Sequence, residues 1–286
     1  MRAKLYIMLG ALLFSTGGVA IKASTLTGWQ LSCFRSLAAG FALLILLPAA
    51  RRGWSWRSFV VAVPFAATFT LFTLANKYTT AANAIFLQDT APLYILLLSP
   101  FLLGERIRQR DLVLMVALLV GLGLIFASTR EVTLSASNPR LGDVLALVSG
   151  LTWAFTVLGL RWIAVRAEEG HGDEPSTVVV AGCFLASLFA MLFAFPVENA
   201  SAGNWLIIAY LGIFQIGIAY VFIAEGVRRI RALELSLLLL VEPVLSPVWV
   251  WFFLGESPAG LAIAGGAVVI GATALHALRG DDPPAV

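Results

Sequence analysis

The stretch Ala91-Pro92-Leu93-Tyr94 through Leu103-Gly104-Glu105 is written twice in this chain, returning as Glu242-Pro243-Val244-Leu245 through Leu254-Gly255-Glu256. In both copies a proline sits inside an apolar run, and Gly-Glu closes the run twelve residues later. The copies are 151 residues apart, about half of the chain. Self-similarity over that distance is the mark of a duplication and takes precedence over any local reading.

Composition sets the solvent. Hydrophobic residues make up 60% of the 286 and charged residues only 12%, with a mean hydropathy of +0.92. A soluble domain carries about 25% charged residues. The apolar runs reach the roughly 20 residues with which a helix crosses about 30 Å of hydrocarbon. They show no period-2 alternation, so the spans are helices rather than barrel strands. The expectation is an all-α integral membrane protein. A pI near 9.1 invites nucleic acid as a partner, but the cations lie in short loops between spans, where topology explains them.

Ten spans are expected: Leu5–Ala23, Trp29–Ala49, Phe59–Ala75, Ala81–Leu103 and Leu112–Ser128, then Leu141–Val165, Thr177–Pro196, Trp205–Ala224, Leu233–Leu254 and Ala259–Leu278. They fall into two five-helix repeats, 1–128 and 141–279, joined by a polar linker at 129–140 and followed by a disordered tail at 280–286. Arg2 and Lys4 ahead of an apolar stretch resemble a signal peptide, but that stretch also aligns with the sixth span.

Charge assigns the orientation. With the N-terminus cytoplasmic, fourteen Lys and Arg fall inside and four outside (Lys22, Lys77, Arg130 and Arg140), while Arg35 lies within a span. That asymmetry places both ends in the cytoplasm. Five spans per repeat then force the second copy in upside down, so matching loops should differ in charge. Glu105-Arg106-Ile107-Arg108-Gln109-Arg110 is basic, whereas Glu256-Ser257-Pro258-Ala259-Gly260 has no cation. Inverted repeats characterise secondary transporters, whose halves rock around a site near the midplane.

Two five-helix repeats with Pro-x(11)-Gly-Glu ending each fourth span resemble the drug/metabolite transporter superfamily and its EamA-type repeat. Phe34-Arg35-Ser36-Leu37-Ala38-Ala39 is similar to that repeat's arginine-aromatic-small signature, with the order shifted by a position. Within the superfamily the chain looks most like the YddG-type bacterial exporters of aromatic and other neutral amino acids. The resemblance implies export from cytoplasm to periplasm across the inner membrane by alternating access. It also implies a cavity lined by spans three, four, eight and nine, with one and six contributing.

Polar groups inside a membrane are costly and are functional candidates by default. Gln88-Asp89-Thr90 lies one turn before Pro92, whose ring pushes against the carbonyl four residues back. Pro243, beside Glu242, repeats the arrangement and Pro247 extends it. Pro92, Pro243 and Pro247 are therefore hinge candidates, the alternative being kinks tolerated against neighbouring helices. At 100° per residue Asn83, Leu87, Thr90 and Tyr94 share a face, with Asp89 off it. Leu235, Leu238, Glu242, Ser246 and Trp249 share another.

Asp89 and Glu242 either bind a substrate ammonium, exchange protons, or hold a structural hydrogen bond while protonated. Arg35 is either a carboxylate anchor or, as preferred here, a residue snorkelling to the outer interface. The remaining substrate-binding candidates are Tyr78, Trp153 and Gln215; Tyr220, Thr152 and Thr156 offer neutral hydrogen bonds. A cavity walled by aromatics suits apolar and aromatic side chains.

Gly121-x-Gly123 and Gly265-Gly266-Ala267 with Gly271 read as a close helix seam. Cys33 and Cys183 read as apolar fillers. His171 and His276 form no metal pair, so neither metal nor cofactor is expected and an intramembrane enzyme is disfavoured. An internal two-fold disfavours a channel. A nucleotide-sugar carrier would want a basic cavity. It remains the main alternative, alongside a drug or cation exporter. Proton coupling and oligomeric state stay open.

Overall fold

The computed structural model describes residues 2–79, 81–104, 109–128, 137–170, 174–198, 200–254 and 260–278. Glu105, Arg106, Arg108, Gly255, Glu256, Pro258, His171, positions 129–136 of the linker and the tail 280–286 lie outside the described residues, as does the side chain of Pro247. Every regular element among the described residues is helical.

The first apolar run forms α1 (Arg2–Ser15) and α2 (Gly17–Ala23), interrupted at Thr16. The hydroxyls of Ser15 and Thr16 donate to the carbonyls of Leu12 and Leu13, competing with the helix ladder where Gly17 and Gly18 follow. α3 (Gly28–Leu46) opens on a reciprocal capping box between Thr27 and Gln30, and α4 (Trp56–Tyr78) opens on the Ser55 hydroxyl. Next come α5 (Ala81–Gln88), α6 (Ala91–Leu102) and α7 (Gln109–Ser128). Gly104, at a left-handed φ of 66°, follows α6, where a side chain would be strained.

The second half comprises α8 (Pro139–Glu168), α9 (Pro175–Ala194), α10 (Ala202–Ala209), a π-helical stretch (Tyr210–Ile218), α11 (Ala219–Val227), α12 (Ala232–Leu239), α13 (Val241–Leu254) and α14 (Gly260–Leu278). Seven of the described helical stretches are long and apolar enough to cross a membrane: 2–23, 28–46, 56–78, 83–102, 139–168, 175–194 and 202–227. The expected fifth, ninth and tenth spans are not among them. In α7 the qualifying stretch shortens to Leu112–Leu124, and side chains within α13 and α14 are only partly described.

α8 is the hub, packing against α4, α5, α6 and α12. Its close approach to the fourth apolar run depends on Gly150. A methyl group there would lie 2.8 Å from the Gln88 carbonyl oxygen and 3.1 Å from that of Leu87. The glycine seam expected between α7 and α14 takes a different form. The two helices do pack together, but among the described residues nothing lies within 4 Å of a Cβ at Gly123 or Gly271, and Gly266 faces Val244 of α13. Cys33 and Cys183 are buried free thiols.

Charged side chains tie the helix ends. Lys22 donates to the Thr79 carbonyl and Lys77 to the Ser24 carbonyl, each at 2.7 Å. Lys4 pairs with Glu234 at 3.1 Å, nearly buried on both sides. Arg161 reaches the carbonyls of Val227 and Arg228, and Arg228 pairs with Glu174.

Candidate functional site

Two breaks in the helices build the site. Pro92 cannot donate to the Gln88 carbonyl, so the fourth apolar run divides at Asp89–Thr90. The Thr90 hydroxyl turns back onto the Leu87 carbonyl at 2.7 Å. Ahead of Pro243 the ninth run divides in the same way at Leu240, leaving Glu242 in the first turn of α13. In the eighth run the π-helical winding carries Gln215, whose side-chain amide donates to the Phe14 carbonyl at 3.5 Å. Such winding within an α-helix is rare and recurs at functional sites.

These irregularities surround one cavity. The first half contributes Phe14 from α1, Arg35 from α3, Thr68, Phe69 and Phe72 from α4, and Gln88, Asp89, Ala91 and Pro92 from the break between α5 and α6. The second half contributes Trp153 from α8, Gln215, Tyr220 from α11, Ser236 and Leu239 from α12, and Glu242 from α13. Tyr220 is fully buried, its ring 5.4 Å from Phe14 and 5.2 Å from Phe65.

Arg35 is the main correction. It does not snorkel: it is 1% exposed and inside the protein. One guanidinium nitrogen donates to the Phe69 carbonyl at 2.9 Å, and its carbon lies 5.4 Å from the Phe69 ring centroid, within cation–π range. Its Nε has no partner among the described residues. Gln88 Oε1, Asp89 Oδ2, Gln215 Oε1 and Tyr220 OH share that condition, and all of them belong to residues lining this cavity. Each unpartnered buried polar atom costs about 1–3 kcal/mol. These atoms leave donors and acceptors around one cavity without partners among the described residues.

Of the candidates read from the sequence, Gln88, Asp89, Trp153, Gln215, Glu242 and Pro92 line the cavity. The others lie elsewhere. Tyr78 ends α4, where its carbonyl accepts from the Asn138 amide. Asn83 donates to Asp143 at 3.3 Å. The Thr90 hydroxyl is turned onto its own helix. Tyr94 packs against the main apolar core, and Trp249 Nε1 donates to the Ser15 hydroxyl at 2.7 Å. Pro243 is buried and is not among the lining residues. Phe14, Thr68, Phe69, Phe72 and Ser236 were not singled out, because apolar and small hydroxylated residues are common on all faces of such helices. For Arg35 a signal existed: unlike Lys22 and Arg161, which fall near the ends of expected spans, it lies well inside one.

Helices that cross a membrane and fold around a polar cavity define a multi-pass membrane protein of transporter type. The model of the EamA-like transporter family matches residues 1–127 and 140–278. The chain belongs to that family. An uncharacterized transporter of Archaeoglobus fulgidus is 26% identical over 209 residues, covering 71% of this chain and 72% of that protein. The pseudopaline exporter of Pseudomonas aeruginosa is 23% identical over 272 residues, covering 93% and 92%. A protein crystal structure superposes with a TM-score of 0.77 at 23% identity, covering 97% of this chain and 96% of that one, a likeness of fold.

Proposed function

We propose that this protein exports amino acids, aromatic and other neutral ones foremost, or related metabolites, from cytoplasm to periplasm. Two inverted five-helix halves, 1–128 and 141–279, would alternate access to the cavity, with ten spans and both termini cytoplasmic in a bacterial inner membrane. The observation that carries the reading is the set of buried atoms around the cavity that have no partner among the described residues. Arg35 Nε and the Tyr220 hydroxyl suit a carboxylate. Asp89 Oδ2 with the amide oxygens of Gln88 and Gln215 suits an ammonium. Phe14, Phe69, Phe72 and Trp153 offer an aromatic wall to the side chain.

The inverted-repeat arrangement draws support from contacts that come in pairs. A shift of 139 positions matches Lys4 with Asp143, Phe14 with Trp153 and Lys22 with Arg161. A shift of 151 matches Asn83 with Glu234 and Gln88 with Leu239. Lys4 pairs with Glu234 while Asp143 accepts from Asn83. Lys22 and Arg161 each cap main-chain carbonyls just past a helix end. Phe14 and Trp153 both line the cavity, as do Gln88 and Leu239.

The outward direction rests on the family resemblance and on the relative named for export. A nucleotide-sugar carrier is the weaker alternative, since one guanidinium faces two carboxylates on the wall. The test is uptake of labelled phenylalanine, threonine and methionine into proteoliposomes. Saturable uptake of at least one, competed by the others, is expected. No uptake of any overturns the reading.

A further inference from the structure

The charges on the cavity wall do not balance, and the imbalance has a consequence for coupling. Arg35, Asp89, Tyr220 and Glu242 are the titratable or charged side chains lining it among the described residues. With Arg35 charged and both carboxylates ionised, the wall carries one excess negative charge. Among the described residues no other charged side chain lines the cavity. Lys4 is paired with Glu234, and Lys22 and Lys77 sit at helix ends, on the carbonyls of Thr79 and Ser24. Asp143 accepts from Thr79 and Asn83, and Arg161 donates to the carbonyls of Val227 and Arg228 at the end of α11, neither of them on the cavity wall. On α9 Cys183 is a buried free thiol. Two like charges inside a low-dielectric protein cannot both remain ionised without a counter-charge, so one proton completes the empty site.

A neutral zwitterion leaves this count unchanged. Its carboxylate meets Arg35, its ammonium meets one ionised carboxylate, and the other carboxyl keeps its proton. A substrate with a second cationic group is different, because that group supplies the missing charge and displaces the proton. We infer that the cavity also accepts amino acids bearing a cationic side chain, and that each is exchanged for the single proton shared by Asp89 and Glu242, whereas neutral amino acids pass without proton movement. Coupling is then a property of the substrate rather than of the protein. Both modes are electroneutral: in the first, one substrate cation crosses one way and one proton the other. The aromatic wall is compatible with a cationic side chain as well as with a neutral one.

This inference rests on the amino-acid reading above, and one experiment separates the two. Purified protein is reconstituted into proteoliposomes holding a luminal pH indicator, and labelled lysine or phenylalanine is added outside. Lysine entry is expected to raise luminal pH by one proton per lysine, because the empty site reloads from the lumen. Phenylalanine entry is expected to leave luminal pH unchanged. Neither rate should respond to an imposed potassium diffusion potential.

Proton movement with phenylalanine, lysine entry without it, or lysine entry driven by the potential each overturns the inference. Phenylalanine transport with lysine refused overturns it while leaving the amino-acid reading intact; transport of neither sinks both. Glu242→Gln is expected to lower lysine transport relative to phenylalanine at least tenfold. Glu242→Asp, which keeps the carboxylate, is expected to restore the one-to-one ratio. An unchanged proton-to-lysine ratio in Glu242→Gln contradicts the assignment.

Discussion

Lys22 Nζ lies 2.7 Å from the carbonyl oxygen of Thr79, so the last turn of α2 holds the end of α4. Lys77, near the end of α4, makes the return contact to the Ser24 carbonyl beside α2 at the same distance. Each cation therefore caps the other helix, where the macrodipole leaves partial negative charge. In the proposed topology this latch closes the periplasmic end. A hydrogen bond from a charged group contributes about 1.5–3 kcal/mol, so deleting one should shift the closed-to-open balance by about tenfold or more. Lys22→Met is expected to speed modification of Thr68→Cys, on the cavity wall, by a membrane-impermeant thiol reagent added on the periplasmic side. An unchanged rate would mean that the latch stabilises the fold without gating it.

Arg35 makes a second prediction. Lysine in its place keeps a charge but loses the planar fork that serves the Phe69 carbonyl while leaving Nε free for a ligand. Arg35→Lys is expected to weaken binding of an amino-acid substrate at least tenfold, appearing mainly as a higher KM. Arg35→Ala should abolish binding and also lower the melting temperature, since the wall would keep Asp89 and Glu242 with no cation. Full affinity in Arg35→Lys would make the guanidinium a purely structural group.

The helical membrane class and the places where helices break were legible from composition, Pro92 and Pro243, because covalent geometry and hydrocarbon thickness leave few options. Which way side chains point was less so. The face estimated for a straight helix put Asn83, Thr90 and Tyr94 together and Asp89 apart. The break at Asp89–Thr90 instead turns Gln88 and Asp89 to the cavity, with Thr90 bonded to its own helix. Arg35 could not be placed from the sequence, since nothing in α3 reveals that the Phe69 carbonyl and ring await it. The π-helical winding around Gln215 likewise has no local sequence mark.

Gly150 and Gly123 offer a paired stability test. A methyl group on Gly150 would press into the Gln88 and Leu87 carbonyls, whereas one on Gly123 meets nothing within 4 Å among the described residues. Overpacking of this kind costs about 1–3 kcal/mol. Gly150→Ala is expected to lower the melting temperature of the purified protein, while Gly123→Ala leaves it unchanged or raises it. Equal behaviour of the two would deny that the break in the fourth run is seated on α8.

Pro92 decides whether that break moves or merely exists. Alanine at this position restores an amide that can donate to the Gln88 carbonyl four residues back, allowing the helix to close over Asp89. If the break is a hinge, Pro92→Ala should reduce transport at least tenfold while thermal stability holds or rises, because a straighter helix is a more stable one. Pro243→Ala should behave alike, since the matching break sets Glu242. If both variants transport at the original rate, the prolines are tolerated kinks and the mobile element lies elsewhere. If both lose stability and transport together, the breaks serve the packing of Gln88 against Gly150 rather than motion. Measuring transport and melting temperature on the same preparations separates these three results.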